Sequence, residues 1–233
     1  FAAFTDVNLA EIKIKKSFNV NYQGVKYLSL ISKKFNILLI HFSTDYVFDG
    51  NKKISYSERS KTNPLNVYGY HKLLSENIIR KNCKRFFIFR TSSVFSCNNI
   101  NFVKKIIKSI KTNKKLFIPN DQTSCPTSSL FICKRIYFII NKYYSNKNIK
   151  FGIYHLVQKP CVSWYDFSNI IKNIYLKKNK IKKNINIESI SFDNNSNVKR
   201  PQYSCLETKK FNNYFKLKDN SWKNDLVKII KHL

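Results

Sequence analysis

Short apolar runs alternate with longer amphipathic segments along the chain. The run Phe35–Phe42 is almost uninterrupted and turns polar at Ser43-Thr44-Asp45, as a strand buried on both faces does where it emerges. The run Phe86–Phe89, followed by Arg90-Thr91-Ser92, repeats this pattern. Between them, helical spacing is seen in Leu73, Leu74, Asn77, Ile78 and Ile79, and Pro64 lies where a helix would begin. Strand, helix and strand predict a βαβ unit and therefore a parallel sheet.

The rest of the pattern predicts further helices and short strands. The predicted helices are Phe18–Lys34, Phe102–Ile110, Leu130–Asn141, Phe167–Leu176 and Leu226–Leu233. The predicted strands are the end of a strand at Phe1–Phe4, then Leu116–Pro119, Gly152–Val157 and Ile185–Ile190. Since helices and strands alternate, we predict an α/β fold built on a parallel sheet.

Composition and charge exclude several classes of protein. The chain has 233 residues, of which 43% are hydrophobic and 15% aromatic, so it is not a disordered basic tail. No apolar run approaches the roughly 18 residues of a membrane span. The net charge of +30 makes a nucleic-acid-binding module the alternative from a different class. The lysines are spread along the whole chain without a recognisable binding motif, and we predict neither a specific nucleic-acid partner nor a membrane partner.

The cysteines and histidines indicate no metal site. The six cysteines include no C-x-x-C pair and no Cys/His cluster at zinc spacing. The four histidines are interpreted as structural or exposed: His41 in a buried strand, His71 facing solvent, His155 at a strand end and His232 in the last helix.

The N-terminal sequence has neither a starting Met nor the features of a signal peptide. The chain also contains no G-x-x-G-x-x-G or G-x-G-x-x-G fingerprint among its four glycines. We therefore expect a cytoplasmic protein whose sequence is N-terminally incomplete, or a gene that has eroded.

Two segments place acid–base chemistry at one edge of the predicted sheet. Tyr68 and Lys72 are four residues apart, so their side chains share one face of the helix. An ammonium near the phenol is expected to lower the pKa of Tyr68 from about 10 toward neutrality. Thr44, at the end of the preceding strand, can hydrogen-bond the same substrate oxygen. The long loop after Asp45 also marks this edge as a ligand site.

Six ordered blocks resemble the dTDP-4-dehydrorhamnose reductases, a family of extended short-chain dehydrogenases/reductases. The blocks are Ser-Thr-Asp-Tyr-Val-Phe-Asp-Gly (43–50), Pro-Leu-Asn-Val-Tyr-Gly-Tyr-His-Lys (64–72), Arg-Thr-Ser (90–92), Asn-Asp-Gln-x-x-x-Pro-Thr (120–127), Gly-Ile-Tyr-His-Leu (152–156) and Arg-Pro-Gln-Tyr-Ser-x-Leu (200–206). They span essentially the whole chain. The resemblance implies a Rossmann-type doubly wound parallel sheet that lacks its first strands, with a smaller C-terminal substrate-binding region.

The resemblance also implies a reaction and roles for individual residues. The family reduces dTDP-4-dehydro-6-deoxy-L-mannose to dTDP-L-rhamnose with NADPH or NADH, for surface polysaccharide. Tyr68 would donate the proton, Lys72 would hold the nicotinamide ribose, and Thr44 would tune the transfer. Asp45 and Ser93 would contact the substrate. Ala3, Phe4 and Thr5 would line the cofactor pocket, together with Tyr68 and Lys72. Mg²⁺ is a further candidate cofactor, and a homodimer is a candidate assembly.

The expected organisation follows the same resemblance. Residues 1–160 would form a truncated NAD(P)-binding Rossmann domain, with 93–119 contributing to the substrate side, and 161–233 would form most of the substrate-binding region. Ser93 stands where the family has Trp, so we expect weaker binding of the sugar nucleotide. Another NAD(P)-dependent sugar-nucleotide epimerase, dehydratase or reductase is the alternative enzyme. We expect this span alone to be inactive, since the fingerprint that binds pyrophosphate does not occur in it.

Overall fold

The computed structural model describes residues 3–98, 100–112, 114–145, 149–181, 186–192 and 198–233. They form two compact units, each assembled from three segments. The first comprises Phe1–Thr91, Asn146–Leu156 and Asn194–Leu217, and the second comprises Ser92–Ser145, Val157–Asp193 and Lys218–Leu233. The assignment of 1–160 to cofactor and 161–233 to substrate stays a prediction.

Helices and strands are interspersed along the chain. The helices are α1 (Val7–Ile12), α2 (Ile14–Phe18), a π-helical turn (Asn19–Gln23), α3 (Gly24–Phe35), a 3₁₀ turn (Asp45–Val47), α4 (Val67–Asn82), α5 (Phe102–Lys111), α6 (Ser129–Ser145), α7 (Trp164–Lys178), α8 (Lys209–Phe215) and α9 (Trp222–Lys231). The strands are β1 (Leu39–Thr44), β2 (Phe86–Thr91), β3 (Val94–Phe95), β4 (Leu116–Pro119), β5 (Thr123–Ser124), β6 (Thr127–Ser128), β7 (Gly152–His155), β8 (Val162–Ser163) and β9 (Ile187–Ile190).

A three-stranded parallel sheet organises the first unit. Its strand order is β1-β2-β7, and the β1–β2 register runs from Leu39 opposite Phe86 to Thr44 opposite Thr91. Ile79 and Ile88 belong to the apolar cluster between α4 and one face of this sheet. On the other face, aromatic rings of β2 and β7 pack against those of α8. The predicted βαβ unit is therefore confirmed, and the carboxyl ends of β1 and β2 lie at the same edge.

Helices α5, α7 and α9 build the core of the second unit. Phe167 stacks on Phe102 and packs edge-on against the fully buried Trp222. The strands of this unit form short pairs: β3 with β6 and β4 with β9 are parallel, and β5 with β8 is antiparallel.

Several element boundaries differ from the sequence predictions. The strand predicted from Phe35 begins only at Leu39, because α3 continues to Phe35 and ends at Asn36 with φ of 52°. Of the strand end predicted at Phe1–Phe4, residues 1 and 2 lie outside the described residues, and Ala3 and Phe4 are not in a strand. Position 185 of the last predicted strand also lies outside them. Helices α1, α2 and α8 were not predicted.

The strand predicted at Leu116–Pro119 is present with these bounds, and the other predicted helices and strands are present with one or both ends shifted. None of the helices in the described part of the chain is long and apolar enough to span a bilayer.

Candidate active site

Local contacts fix the first turn of α4 against the end of β1. Asn66 caps the helix, accepting a hydrogen bond from the Gly69 N–H at 2.8 Å, and its own amide donates to the Lys199 carbonyl at 3.0 Å. The Glu11 carboxylate accepts from the Val67 N–H at 2.7 Å, which places negative charge at the positive end of the helix. A Cβ on Gly69 would collide with the carbonyl of Tyr46, so only glycine allows this approach.

The Tyr68 phenol meets the Thr44 hydroxyl at this junction. The Thr44 side chain is close enough to the phenol to influence its ionisation. Thr44 Oγ1 donates to Asp45 Oδ1 at 3.1 Å and accepts from the Tyr46 N–H at 3.2 Å. Ser204 donates to the other oxygen of Asp45 at 2.6 Å, so the buried carboxylate is held on both sides. The structure thus brings together the predicted residues Thr44, Asp45 and Tyr68.

The pKa of Tyr68 is opposite to the sequence expectation. Burial and the Asp45 carboxylate raise it to about 12, and the influence of the Thr44 side chain opposes this only in part. The expected fall toward neutrality, caused by Lys72, is therefore wrong for this structure. A phenol with a raised pKa remains protonated at neutral pH, which suits a group that donates a proton.

Lys72 contacts a histidine that the sequence analysis interpreted as structural. Its Nζ lies 3.1 Å from His41 Nε2, and the lysine side chain is only 4% exposed. Burial lowers the pKa of Lys72 to about 8, although the Glu76 carboxylate acts in the opposite direction. Burial, and then the Lys72 ammonium, hold the pKa of His41 well below its ordinary value. His41 is therefore a neutral acceptor beside a cation.

A buried ion pair lies one helical turn beyond Lys72. Arg90 donates to both carboxylate oxygens of Glu76, at 2.9 and 2.7 Å, and both side chains are at most 3% exposed. The guanidinium also lies over the Phe48 ring at 5.0 Å. This pair was not predicted from the sequence. The available signal was Glu76 at the i+4 position from Lys72, with Arg90 at the polar end of the next strand.

A polar network connects the predicted cofactor wall to α4. The Asn21 side chain, in the π-helical turn, bonds both the N–H and the carbonyl of Phe4 at 2.9 Å. Ser17 links Asn21 to His71 Nδ1 at 2.9 Å. His71 is only 4% exposed, so the expectation that it faces solvent is wrong. Ala3 and Thr5 are exposed on either side of Phe4.

Ser93 belongs to the second unit, and its backbone is in the left-handed region. Its φ is 46°, and its hydroxyl lies 2.7 Å from that of Ser124. Its carbonyl accepts from the Thr127 N–H at 3.3 Å. The role of Ser93 in substrate binding stays a prediction.

A cavity of about 770 Å³ lies on the flank of α4, lined in part by Arg59, Glu76, Arg80, Arg90 and Lys210. Thr44, Tyr68 and Lys72 are not among its lining residues, so it is separate from the candidate active site.

The residues at the end of β1 fit the nicotinamide end of a cofactor. Side chains alternate along a strand, so Ser43 lies on the same face of β1 as His41, which contacts Lys72. The Ser43 hydroxyl is buried and has no hydrogen-bond partner among the described residues, which leaves a polar atom available to a ligand. Lys72, Tyr68 and Ser43 are therefore the groups that would hold a nicotinamide and its ribose. A glycine fingerprint for the pyrophosphate does not occur in the sequence.

Comparisons with known proteins identify the family. A family model described as the RmlD substrate binding domain matches residues 1–233. The dTDP-4-dehydrorhamnose reductase of Aggregatibacter actinomycetemcomitans is 34% identical over 230 residues, which are 98% of this chain and 78% of the relative. The chain belongs to the dTDP-4-dehydrorhamnose reductase family.

Other members of the family extend this similarity to structure. The dTDP-4-dehydrorhamnose reductase of Escherichia coli K12 is 30% identical, covering 100% of this chain and 78% of that protein. A crystal structure of the Bacillus anthracis reductase in complex with NADP superposes with a TM-score of 0.84 at 26% identity, covering 100% of this chain and 79% of that one. The Clostridium acetobutylicum reductase gives a TM-score of 0.87 at 27% identity, with coverage of 99% and 78%. The predicted α/β fold of the Rossmann type is thus confirmed.

Proposed function

We propose that this chain reduces the 4-keto group of dTDP-4-dehydro-6-deoxy-L-mannose to give dTDP-L-rhamnose, with NADPH or NADH as the reductant. The observation that carries the proposal is the junction at which Thr44 and Asp45 lie beside the Tyr68 phenol, with Lys72 one turn further along the same face of α4. Membership of the reductase family supports the choice of substrate.

Tyr68 acts as the general acid in this proposal. A bound nicotinamide supplies the hydride to C4 of the sugar. As negative charge develops on the carbonyl oxygen, Tyr68 Oη donates its proton to that oxygen. Burial and the Asp45 carboxylate keep the phenol protonated until then. Thr44, which lies beside the phenol, tunes the proton transfer.

Lys72 supplies positive charge beneath the reacting groups. Its ammonium binds the nicotinamide ribose in this proposal and stabilises the phenolate that Tyr68 leaves behind. Phe4, held by Asn21, forms part of the cofactor wall with Ala3 and Thr5. Their roles follow from the family resemblance and from the hydrogen bonds that fix Phe4.

Substrate contacts and cellular context complete the proposal. Asp45 and Ser93 contact the sugar nucleotide, and residues 161–233 with 93–119 supply most of the substrate side. Mg²⁺ as a further cofactor, a homodimeric assembly and a cytoplasmic location rest on the family resemblance.

Product analysis tests the proposed function. The protein is incubated with NADPH and one of two substrates. One is dTDP-4-dehydro-6-deoxy-L-mannose, and the other is the corresponding dTDP-4-keto-6-deoxy sugar of D configuration. We expect NADPH oxidation with the L-manno compound only, and NMR of the product should show a new hydrogen at C4. An epimerase would change the sugar without net consumption of NADPH, and that result would contradict the proposal.

A further inference from the structure

The histidine behind Lys72 is the feature that neither the sequence motifs nor the proposed roles use. His41 lies on β1, three residues before Thr44, and its ring faces α4. Its Nε2 lies at hydrogen-bonding distance, 3.1 Å, from an ammonium that has almost no solvent exposure. A buried ammonium needs acceptors for its three hydrogens, since an unsatisfied one is costly.

We propose that His41 is a positioning residue: it holds the Lys72 ammonium through Nε2, keeps it charged, and fixes this side chain on the face of α4 that Tyr68 shares. This inference rests on the proposed function, because it concerns the group that supports Tyr68.

The surroundings define the direction of this hydrogen bond. Lys72 has no acceptor atom while it is charged, so it donates and His41 Nε2 accepts. That assigns the ring proton of the neutral imidazole to Nδ1. Glu76 is the acidic group near Lys72 on α4, but both of its oxygens accept from Arg90 of β2. The imidazole is therefore the neutral acceptor that β1 contributes.

Removing this acceptor should have a specific kinetic effect. Without it, Lys72 loses its proton at lower pH and its side chain is free to turn away. We expect His41→Leu to lower kcat about tenfold, the value of one hydrogen bond to a charged group, with little change in the KM for the sugar nucleotide. The alkaline limb of the kcat profile should move to lower pH. His41→Gln keeps an acceptor oxygen and should restore both kcat and the profile.

A double-mutant cycle separates this role from a general structural one. In the Lys72→Ala background, His41→Leu should produce no further loss of kcat, because the group through which it acts is gone. Equal losses in both backgrounds, or His41→Gln as impaired as His41→Leu, would overturn the proposal.

NMR spectroscopy tests the contact between His41 and Lys72 without measuring turnover. Imidazole ¹⁵N NMR of the unmutated protein should show a neutral His41 with its proton on Nδ1. The Lys72→Ala substitution should shift the ¹⁵N resonance of His41 Nε2. A proton on Nε2 in the unmutated protein would refute the contact. If the unmutated protein failed to reduce the dTDP sugar, the proposed function would fall, whereas this spectrum would still decide whether His41 holds Lys72.

Discussion

Lys72 should lower the stability of the fold while it supports the chemistry. Its pKa falls from 10.5 to about 8 on burial. At about 1.4 kcal/mol for each tenfold change in the protonation equilibrium, keeping the ammonium in this site costs about 3 kcal/mol relative to the unfolded chain. Replacing Lys72 with Met removes this cost but also the hydrogen bond to His41, which is worth about 1 kcal/mol. We therefore expect Lys72→Met to raise the free energy of unfolding by about 2 kcal/mol at pH 7 and to abolish turnover.

The pH dependence of this gain follows from proton linkage. Unfolded Lys72 keeps its proton up to a pH near 10.5, whereas folded Lys72 releases it near 8. Between these values the unfolded state binds more protons, so the stability of the unmutated protein rises with pH relative to the variant. The advantage of Lys72→Met should be complete below pH 8 and should shrink between pH 8 and 10.5.

Urea unfolding of the two proteins at matched pH values measures this difference directly. Lys81→Met, at an exposed position of the same helix, is the control and should change stability by no more than about 0.5 kcal/mol. A stability difference that stays constant from pH 7 to 10.5, or a loss of stability in Lys72→Met, would show that burial does not hold the pKa of Lys72 below its ordinary value.

Three further substitutions test the structure around the site. Glu76→Gln leaves the Arg90 guanidinium buried without its counter-charge, and we expect a loss of about 3 kcal/mol in urea unfolding; an unchanged midpoint would contradict the buried pair. Gly69→Ala forces α4 away from the Tyr46 carbonyl, so thermal unfolding should occur several degrees lower and turnover should fall with it; Gly24→Ala, which meets only ordinary contacts, is the control. Asn21→Leu releases both backbone groups of Phe4, and NADPH affinity measured by fluorescence should weaken, unless Phe4 does not line the cofactor site.

The sequence predicted the sheet because its signals were local. Phe86–Phe89 and the run that ends at Phe42 are strongly apolar and turn polar abruptly, which is typical of strands in a parallel sheet covered by helices. The start of β1 was misplaced because Phe35 is apolar in either state. The start of β1 is decided by Asn36, whose left-handed conformation ends α3. The sequence around Asn36 has no glycine that would indicate this helix end.

The site was predicted as a set of residues, but its electrostatics were not. Helical spacing places Tyr68 and Lys72 on one face, yet it does not reveal that the lysine reaches His41 or that Asp45 lies beside the phenol. Both contacts depend on how β1 and α4 pack. The burial of His71 likewise depends on Ser17, which is 54 residues away in sequence. Long-range contacts of this kind leave no periodic signal.

The proton-donating role of Tyr68 in the reduction of the 4-keto sugar nucleotide underlies the whole mechanism. Its most direct test compares kcat for NADPH oxidation in Tyr68→Phe and in Tyr70→Phe, an exposed tyrosine two residues further along α4. We expect Tyr68→Phe to lower kcat by about 10² to 10⁴ with NADPH affinity retained, and Tyr70→Phe to have no effect. Full turnover in Tyr68→Phe would contradict the account.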